Sequence, residues 1–331
     1  MNPQAIFANL FEPLNDYIKD VDYYNPEKPE NGGLLKTIND EFTWKGKIYA
    51  AGSAKACYSY AYYYNKKKYK EAGLDDPYEL WKKGEWTWDK MIADAKSIND
   101  VANNVCFLGM PEIHHWLAWQ GLSYIKRDGD SFSENFGDPK VVEALHTYQD
   151  IVYGDEPISV WGVDGLDWYA LIKFTDSYTQ IAGQVKRSPY FGRKVENLGV
   201  VPVPTGFTPN GMYATHEAQG YSAAKGAKDP SMAACYGLFE SRAVDSDVKS
   251  DLQMPAEIRN AVDDAFAKNG YCPTVGFANE EGLCLEDVTN WYLGTRDLIV
   301  NRMDVSAVLG TYRPQFQAII ASTLNQGKNF G

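Results

Sequence analysis

Three Asp-Pro pairs, Asp76-Pro77, Asp138-Pro139 and Asp229-Pro230, constrain this chain more than any other feature. At a helix start the aspartate accepts hydrogen bonds from free backbone amides, and the proline sits where no amide hydrogen is needed. Each pair therefore predicts a helix with a fixed beginning. The second carries Val141, Leu145, Tyr148 and Val152 along one face, and the third carries Met232, Cys235, Tyr236 and Phe239. Thr87 is a further N-cap, ahead of Trp88, Met91, Ile92, Ala95 and Ile98 at helical spacing. Between the helices lie strand-like segments. Trp44-Lys45-Gly46-Lys47 reads as a turn leading into Ile48–Ala51, and Tyr58–Tyr64 is a tyrosine-dense strand. Gly199–Pro204 is a short apolar strand whose prolines confine its far end to an edge or an exit. Thr205–Tyr213 reads as a loop. Asp287–Val300 is a helix with Val288, Trp291, Tyr292, Thr295, Leu298 and Ile299 facing one way, and Pro314–Leu324 is the last helix. Alternating strands and helices predict an α/β architecture. With 331 residues the chain exceeds one ordinary hydrophobic core, so two domains are expected.

Composition narrows the function. A net charge of −12 repels nucleic acid and anionic membrane surfaces, so neither is expected as a partner. No apolar run reaches the roughly 18 residues that a membrane-spanning helix needs. The chain has 23 Tyr and 9 Trp against 14 Phe, an excess of rings that pair an apolar face with a polar tip. Such rings suit a sugar, although a tyrosine-rich core accounts for the same numbers. The five cysteines, Cys57, Cys106, Cys235, Cys272 and Cys284, show no zinc spacing. Cys272 and Cys284 flank a short loop-like segment and can pair in an oxidising compartment, whereas the other three are expected free and buried. Nucleotide, hydrolase and metalloprotease signatures are missing, and no cofactor is expected. The start, Met1-Asn2-Pro3-Gln4, does not read as a secretion signal.

Five patches, in order, resemble the family 1 extracellular solute-binding proteins, the group that includes maltose-binding protein. They are Gly46-Lys47-Ile48-Tyr49-Ala50, the stretch Tyr64–Leu74, Trp86-Thr87-Trp88-Asp89-Lys90, Gly199–Pro204 and Gly220–Pro230. The resemblance implies a two-lobe α/β fold of class II type. It divides the chain into a first lobe, residues 1–57 and 215–268, and a second, residues 58–214 and 269–331. The first lobe is expected to lack its opening block, because the strand at Gly46 comes early for the family. Residues near 53–60 and 212–221 are expected to cross between lobes, with Gly220 a hinge or an ordinary turn glycine. The implied function is an extracytoplasmic binding component of an ABC importer. It would be a cell-surface lipoprotein or periplasmic, would act as a monomer, would hold a carbohydrate, and would pass it to permease subunits without chemistry.

Candidate ligand contacts follow. Trp291 resembles a family position that stacks on sugar, although its spacing also fits a core residue. Glu112, at a strand exit, offers a carboxylate to two hydroxyls, with His114 or Trp116 to stack. Adjacent His114 and His115 point apart, so no metal site is expected there. Trp119 is expected in the core. Tyr190, ahead of the Gly199 strand, resembles another stacking position, and Tyr58 and Tyr60 share one face of a crossing strand. Two rivals stand beside this reading: a glycoside hydrolase, and a ferric-iron binder of similar fold using Tyr62 and Tyr64.

Overall fold

The computed structural model describes residues 3–25, 42–53, 61–98, 113–118, 120–155, 172–175, 178–202, 204–205, 214–215, 219–239, 271–272 and 287–328. The first elements are α1 (Pro3–Phe7), β1 (Phe11–Glu12), α2 (Asn15–Ile18), β2 (Thr43–Trp44), β3 (Lys47–Ile48) and β4 (Ala51–Ser53). Then come β5 (Ala61–Asn65), α3 (Lys66–Glu71), α4 (Pro77–Lys83), α5 (Trp88–Ile98) and α6 (Ile113–Ala118). The hairpin β6 (Ile125–Asp128) and β7 (Ser131–Glu134) leads to α7 (Pro139–Tyr153), β8 (Ile172–Thr175), α8 (Tyr178–Val185) and β9 (Leu198–Val201). Four short strands follow, β10 (Ala214–Thr215), β11 (Gln219–Tyr221), β12 (Ala223–Ala224) and β13 (Tyr271–Cys272), with helix α9 at residues 231–239 between the last two. The chain closes with α10 (Asp287–Val300) and α11 (Val305–Lys328).

All three Asp-Pro pairs open helices. Asp76 accepts from the Tyr78 amide at 2.9 Å, Asp138 from the Lys140 amide at 2.9 Å, and Asp229 from the Ser231 amide at 3.1 Å. Thr87 Oγ1 accepts from the Lys90 amide at 3.2 Å. At its far end α4 stops on Gly84, whose φ of 75° suits a residue without a side chain. Asn65, expected only as a strand end, also caps α3 by accepting from the Lys68 amide at 3.2 Å.

Among the described residues the largest sheet has three antiparallel strands in the order β8-β5-β9. β5 begins at Ala61, within the predicted tyrosine strand. Neighbouring strands pair both of its edges, and side-chain clusters cover both of its faces: Tyr62, Tyr63 and Tyr64 are all fully buried. Tyr62 and Tyr64 belong to the main core, and Tyr63, on the opposite face, packs with Val185, Phe191, Leu198 and Val200. β9 stops at Val201, before Pro202, and pairs only with β5 among the described strands. From Tyr62 a file of rings crosses the core: Tyr62 to Trp88 at 6.1 Å, Trp88 to Trp116 at 5.2 Å, and Trp116 to Tyr148 at 6.2 Å. One strand and the helices α5, α6 and α7 are thereby joined by aromatic edge contacts.

Four expectations are corrected. The last helix starts at Val305, so Pro314 lies inside it. Its fourth-preceding residue is Gly310, where the proline ring meets the least crowded backbone. Helix α10 winds in π fashion, with bonds to the fifth residue rather than the fourth, so its faces follow a wider period. Leu293 pairs with Leu298 on the buried side, while Tyr292 is exposed. The stripe on α9 exists as spaced, but Met232, Tyr236 and Phe239 are exposed, and Ala234 and Gly237 are the buried residues. Cys235 is free and exposed rather than buried. Cys57, Cys106 and Cys284 lie outside the described residues, as does any pairing of Cys272.

At the β5–β9 pairing Tyr64 stands opposite Gly199, and a methyl group there would come within 2.1 Å of the Tyr64 ring. Gly199→Ala is therefore expected to lower stability by about 1–3 kcal/mol, read as a lower urea midpoint with an unchanged m-value.

Candidate functional site

The described residues build separate hydrophobic cores. One is small: Leu14, Ile18, Tyr24, Phe42, Ala50, Ala51, Ala223 and Ala234. It is held together by α9, which lies so close to β4 that a methyl at Gly237 would meet the Ala51 carbonyl at 2.7 Å, and by the Tyr24 hydroxyl, which donates to Ala234 O at 2.8 Å. The main core surrounds the aromatic file and α11.

Two further pairings join segments distant in sequence. β4 pairs antiparallel with β11, matching Ser53 to Gln219, Gly52 to Gly220 and Ala51 to Tyr221. β10 pairs parallel with β13, matching Ala214 to Tyr271 and Thr215 to Cys272. Gly220, expected at a hinge or turn, is a strand residue. A methyl on it would lie 3.0 Å from Ala50 Cβ and 3.1 Å from the Phe42 ring, so close approach explains the glycine.

Tyr190 sits on the 3-10 turn Pro189–Phe191, half-buried against the cluster of Tyr63, Val185, Phe191, Leu198 and Val200. The turn is fixed at both ends. Asn65 Nδ2 donates to Tyr190 O at 3.0 Å, and Asn197 Nδ2 donates to Phe191 O at 2.7 Å. A ring presented from so braced a turn loses little entropy on contact with a ligand.

Trp291 lies in the first turns of α10, whose backbone is described and whose Trp291 side chain is not. A polar cluster locks the other end of this helix. Arg296 donates to both oxygens of buried Asp297 at 2.6 and 2.9 Å, and the Tyr312 hydroxyl of α11 donates to Asp297 Oδ2 at 2.5 Å. Gln149 of α7 donates to Leu298 O at 2.9 Å and to Met303 O at 2.7 Å. The Arg296 bonds, aided by Tyr312 and Asn301, hold the Asp297 carboxyl below its usual range, while burial and the facing carboxylate push Tyr312 up to about 12. Exposed Tyr292, which the sequence placed on the buried stripe, carries the Arg296 guanidinium 5.0 Å from its ring centre.

Trp116 belongs to the core and not to a ligand surface. It is fully buried between Trp88 and Tyr148, and its indole N–H donates to Ala144 O at 2.7 Å. Among the described side chains of α6, Ile113, Trp116 and Leu117 are all buried, which leaves the indole no outward face. Tyr58, Tyr60, Glu112 and Trp119 lie outside the described residues, and for His114 only the backbone is described. The ferric-iron reading fails on burial. Tyr62 and Tyr64 are sealed, burial pushes both hydroxyls well above their ordinary range against the tyrosinate form, and Tyr64 donates to Asp76 at 2.5 Å. Among the described residues no group of three or more His, Cys, Asp or Glu is placed to hold a metal ion.

The family model for bacterial extracellular solute-binding protein matches residues 3–233. Solved structures of similar fold include the sugar-binding protein MalE from Xanthomonas citri, at 16% identity and a TM-score of 0.66, covering 97% of this chain and 83% of that one. An ABC substrate-binding protein from Listeria monocytogenes in complex with cycloalternan is 19% identical, with a TM-score of 0.59 and coverage of 99% and 82%. An ABC transporter associated binding protein from B. animalis subsp. lactis in complex with β-1,6-galactobiose is 17% identical, with a TM-score of 0.64 and coverage of 98% and 83%. The curated proteins give no match.

Two measurements check this geometry. Trp116→Phe removes one buried hydrogen bond and part of a ring, so stability should fall by roughly 1–3 kcal/mol while affinity for any ligand stays the same. The Asp297 carboxyl is depressed in the folded state, so its stabilising contribution is complete above the unfolded carboxylate range and is lost as pH falls through the folded value. Asp297→Asn should thus lower the urea midpoint at pH 7 and flatten the decline that wild type shows on acidification below about pH 5.

Proposed function

The chain belongs to the bacterial extracellular solute-binding protein family, and from that premise we propose that it is the carbohydrate-binding component of an ABC importer. It has the two-lobe α/β fold of such proteins, and its place is outside the cytoplasmic membrane. There it works as a cell-surface lipoprotein or free in a periplasm. Among the described residues no helix is long and apolar enough to cross a membrane.

The observation that carries this reading is the waist. The first lobe comprises residues 1–57 and 215–268, and the second residues 58–214 and 269–331. The pairings of β4 with β11 and of β10 with β13 lie within a few residues of those boundaries, which supports the reading. The small core draws on residues 14–51 and 223–234, which supports the division, while Ile6, Phe7, Trp44 and Tyr49 of the same lobe are buried in the main core. Two bodies joined by a few short strands can close on a ligand.

Carbohydrate is the solute class that the rings fit. A sugar offers a flat C–H face for stacking and a rim of hydroxyls, each costing about 1–3 kcal/mol if buried unpaired. Tyr190, Trp291, Tyr58, Tyr60 and His114 are the proposed stacking rings, with Tyr292 added from its exposure, and Glu112 the hydroxyl partner. Similar folds in complex with cycloalternan and β-1,6-galactobiose support the class. Loaded protein would dock as a monomer on permease subunits, without a cofactor and without turning its ligand over.

Thermal-shift measurement against a panel of mono- and oligosaccharides tests the reading. A true ligand at a hundred times its Kd should stabilise by about 2.7 kcal/mol, and chromatography should recover it uncleaved. A peptide, polyamine or metal that raises the melting temperature while every saccharide leaves it unmoved would overturn the sugar assignment. Released monosaccharide would overturn the claim that no chemistry occurs.

A further inference from the structure

The hairpin β2–β3 belongs to both cores at once. Its turn residues Lys45 and Gly46 have φ of 48° and 72°, the left-handed pair that a two-residue I′ turn requires. On one side it is tied to α2. The Leu14 amide donates to Ile48 O at 2.7 Å, the Ile48 amide donates to Asn15 Oδ1 at 2.9 Å, and Asn15 Nδ2 donates to Gly46 O at 2.9 Å. Ile48 itself packs on the small core.

On the other side the hairpin reaches into the second lobe. Trp44 is buried in the main core, 5.0 Å from the Phe7 ring and 6.2 Å from the Phe132 ring. Arg127 donates to Thr43 O at 2.9 Å, the Lys45 amide donates to Asp130 Oδ1 at 3.2 Å, and Lys45 Nζ donates to Gly327 O at 3.3 Å. The last contact places an ammonium on the final turn of α11, where carbonyls lack helix partners and the helix dipole is negative. Beside these polar contacts a cavity of about 380 Å³ opens between Trp44, Lys45, Asp130, Leu324 and Lys328.

We propose that the hairpin Thr43–Ile48 is a strap across the waist that limits how far the two lobes turn against each other, with Trp44 as its seat and the Lys45, Asp130 and Arg127 contacts as its release points. The proposal rests on the two-lobe reading. Relative rotation of the lobes must strain one set of ties. The α2 set is three hydrogen bonds of 2.7–2.9 Å, partly open to water like those near the turn but backed by buried Leu14 and by Ile48, and Trp44 is sealed among rings, so these are the ties that hold. The three contacts near the turn are part-buried or exposed, and water can replace them. The cavity beside them gives the turn room to tilt about Trp44.

The test is a pair of spin-label distance distributions in the unliganded full chain, with labels carried on non-natural residues. One pair spans the lobes, at Lys19 and Lys140, and the other lies within the second lobe, at Lys70 and Lys140; all three positions are exposed. The variants are Lys45→Asn with Asp130→Ala, and separately Arg127→Ala. Asn tolerates positive φ and favours the I′ turn, so Lys45→Asn keeps the hairpin and removes only the tie to α11. Melting curves confirm that each variant folds. The expected result is an inter-lobe distribution broader in both variants than in wild type, with the intra-lobe distribution unchanged. An inter-lobe distribution wider than the intra-lobe one, yet the same in wild type and variants, overturns the strap alone. If inter-lobe and intra-lobe distributions are equally narrow in all proteins, the two-lobe reading fails and the strap with it.

Discussion

A strand of tyrosines buried on both faces is the constraint on which the second lobe depends. Tyr62, Tyr63 and Tyr64 cannot turn any ring to water, because β8 and β9 flank β5 and apolar side chains cover it above and below. Each ring then needs a defined receptor. Tyr62 meets Trp88, Tyr63 meets the Val185–Phe191 cluster, and Tyr64 uses the space that Gly199 leaves open and reaches Asp76 with its hydroxyl. Asp76 is also the cap of α4, so one side chain sets both the strand and the helix start. The file of rings from Tyr62 to Tyr148 carries that order outward to α7.

That rigidity has a use at the proposed binding surface. Tyr190 stands on a turn whose floor is the Tyr63 cluster and whose carbonyls are held by Asn65 and Asn197. The helix bearing Trp291 and Tyr292 is gripped at its far end by Asp297, Tyr312 and Gln149. The polar groups with the strongest mutual ties are thus spent on positioning helices, leaving the aromatic faces to the ligand. A site made this way gains affinity through pre-organisation more than through the number of contacts.

Sequence alone made the local features legible. Each Asp-Pro pair is a short-range device whose hydrogen bonds lie within a few residues, so it worked as read. Trp44-Lys45-Gly46-Lys47 likewise forms its turn from its own backbone preferences. What spacing cannot decide is which side of a helix meets protein. The Met232–Phe239 stripe was found and proves exposed, and Trp116 was taken for a ligand ring because its file of partners, Trp88 and Tyr148, is distant in sequence. Tyr292 was misplaced for another reason: the 3.6-residue period assumed for α10 does not hold in a π winding. Of the seven residues first named for the site, Tyr190 alone is both described and partly open to solvent.

The make-up of the waist explains why an added restraint falls to the hairpin. Ala51 and Gly52 of β4 pair with Tyr221 and Gly220 of β11, so little side-chain bulk links these two strands. Half of the small core's eight buried residues are alanine, and an alanine methyl buries little apolar area. Small residues let this core pack closely, as at Gly220 and Gly237, but leave Leu14, Ile18, Tyr24 and Phe42 as its large buried side chains. Phe7 and Trp44, drawn from the segments assigned to the first lobe, are instead buried with Phe132 and Phe316 in the main core. On the proposed division the first lobe would therefore take part of its anchorage from the second, through side chains that lie on or beside the hairpin.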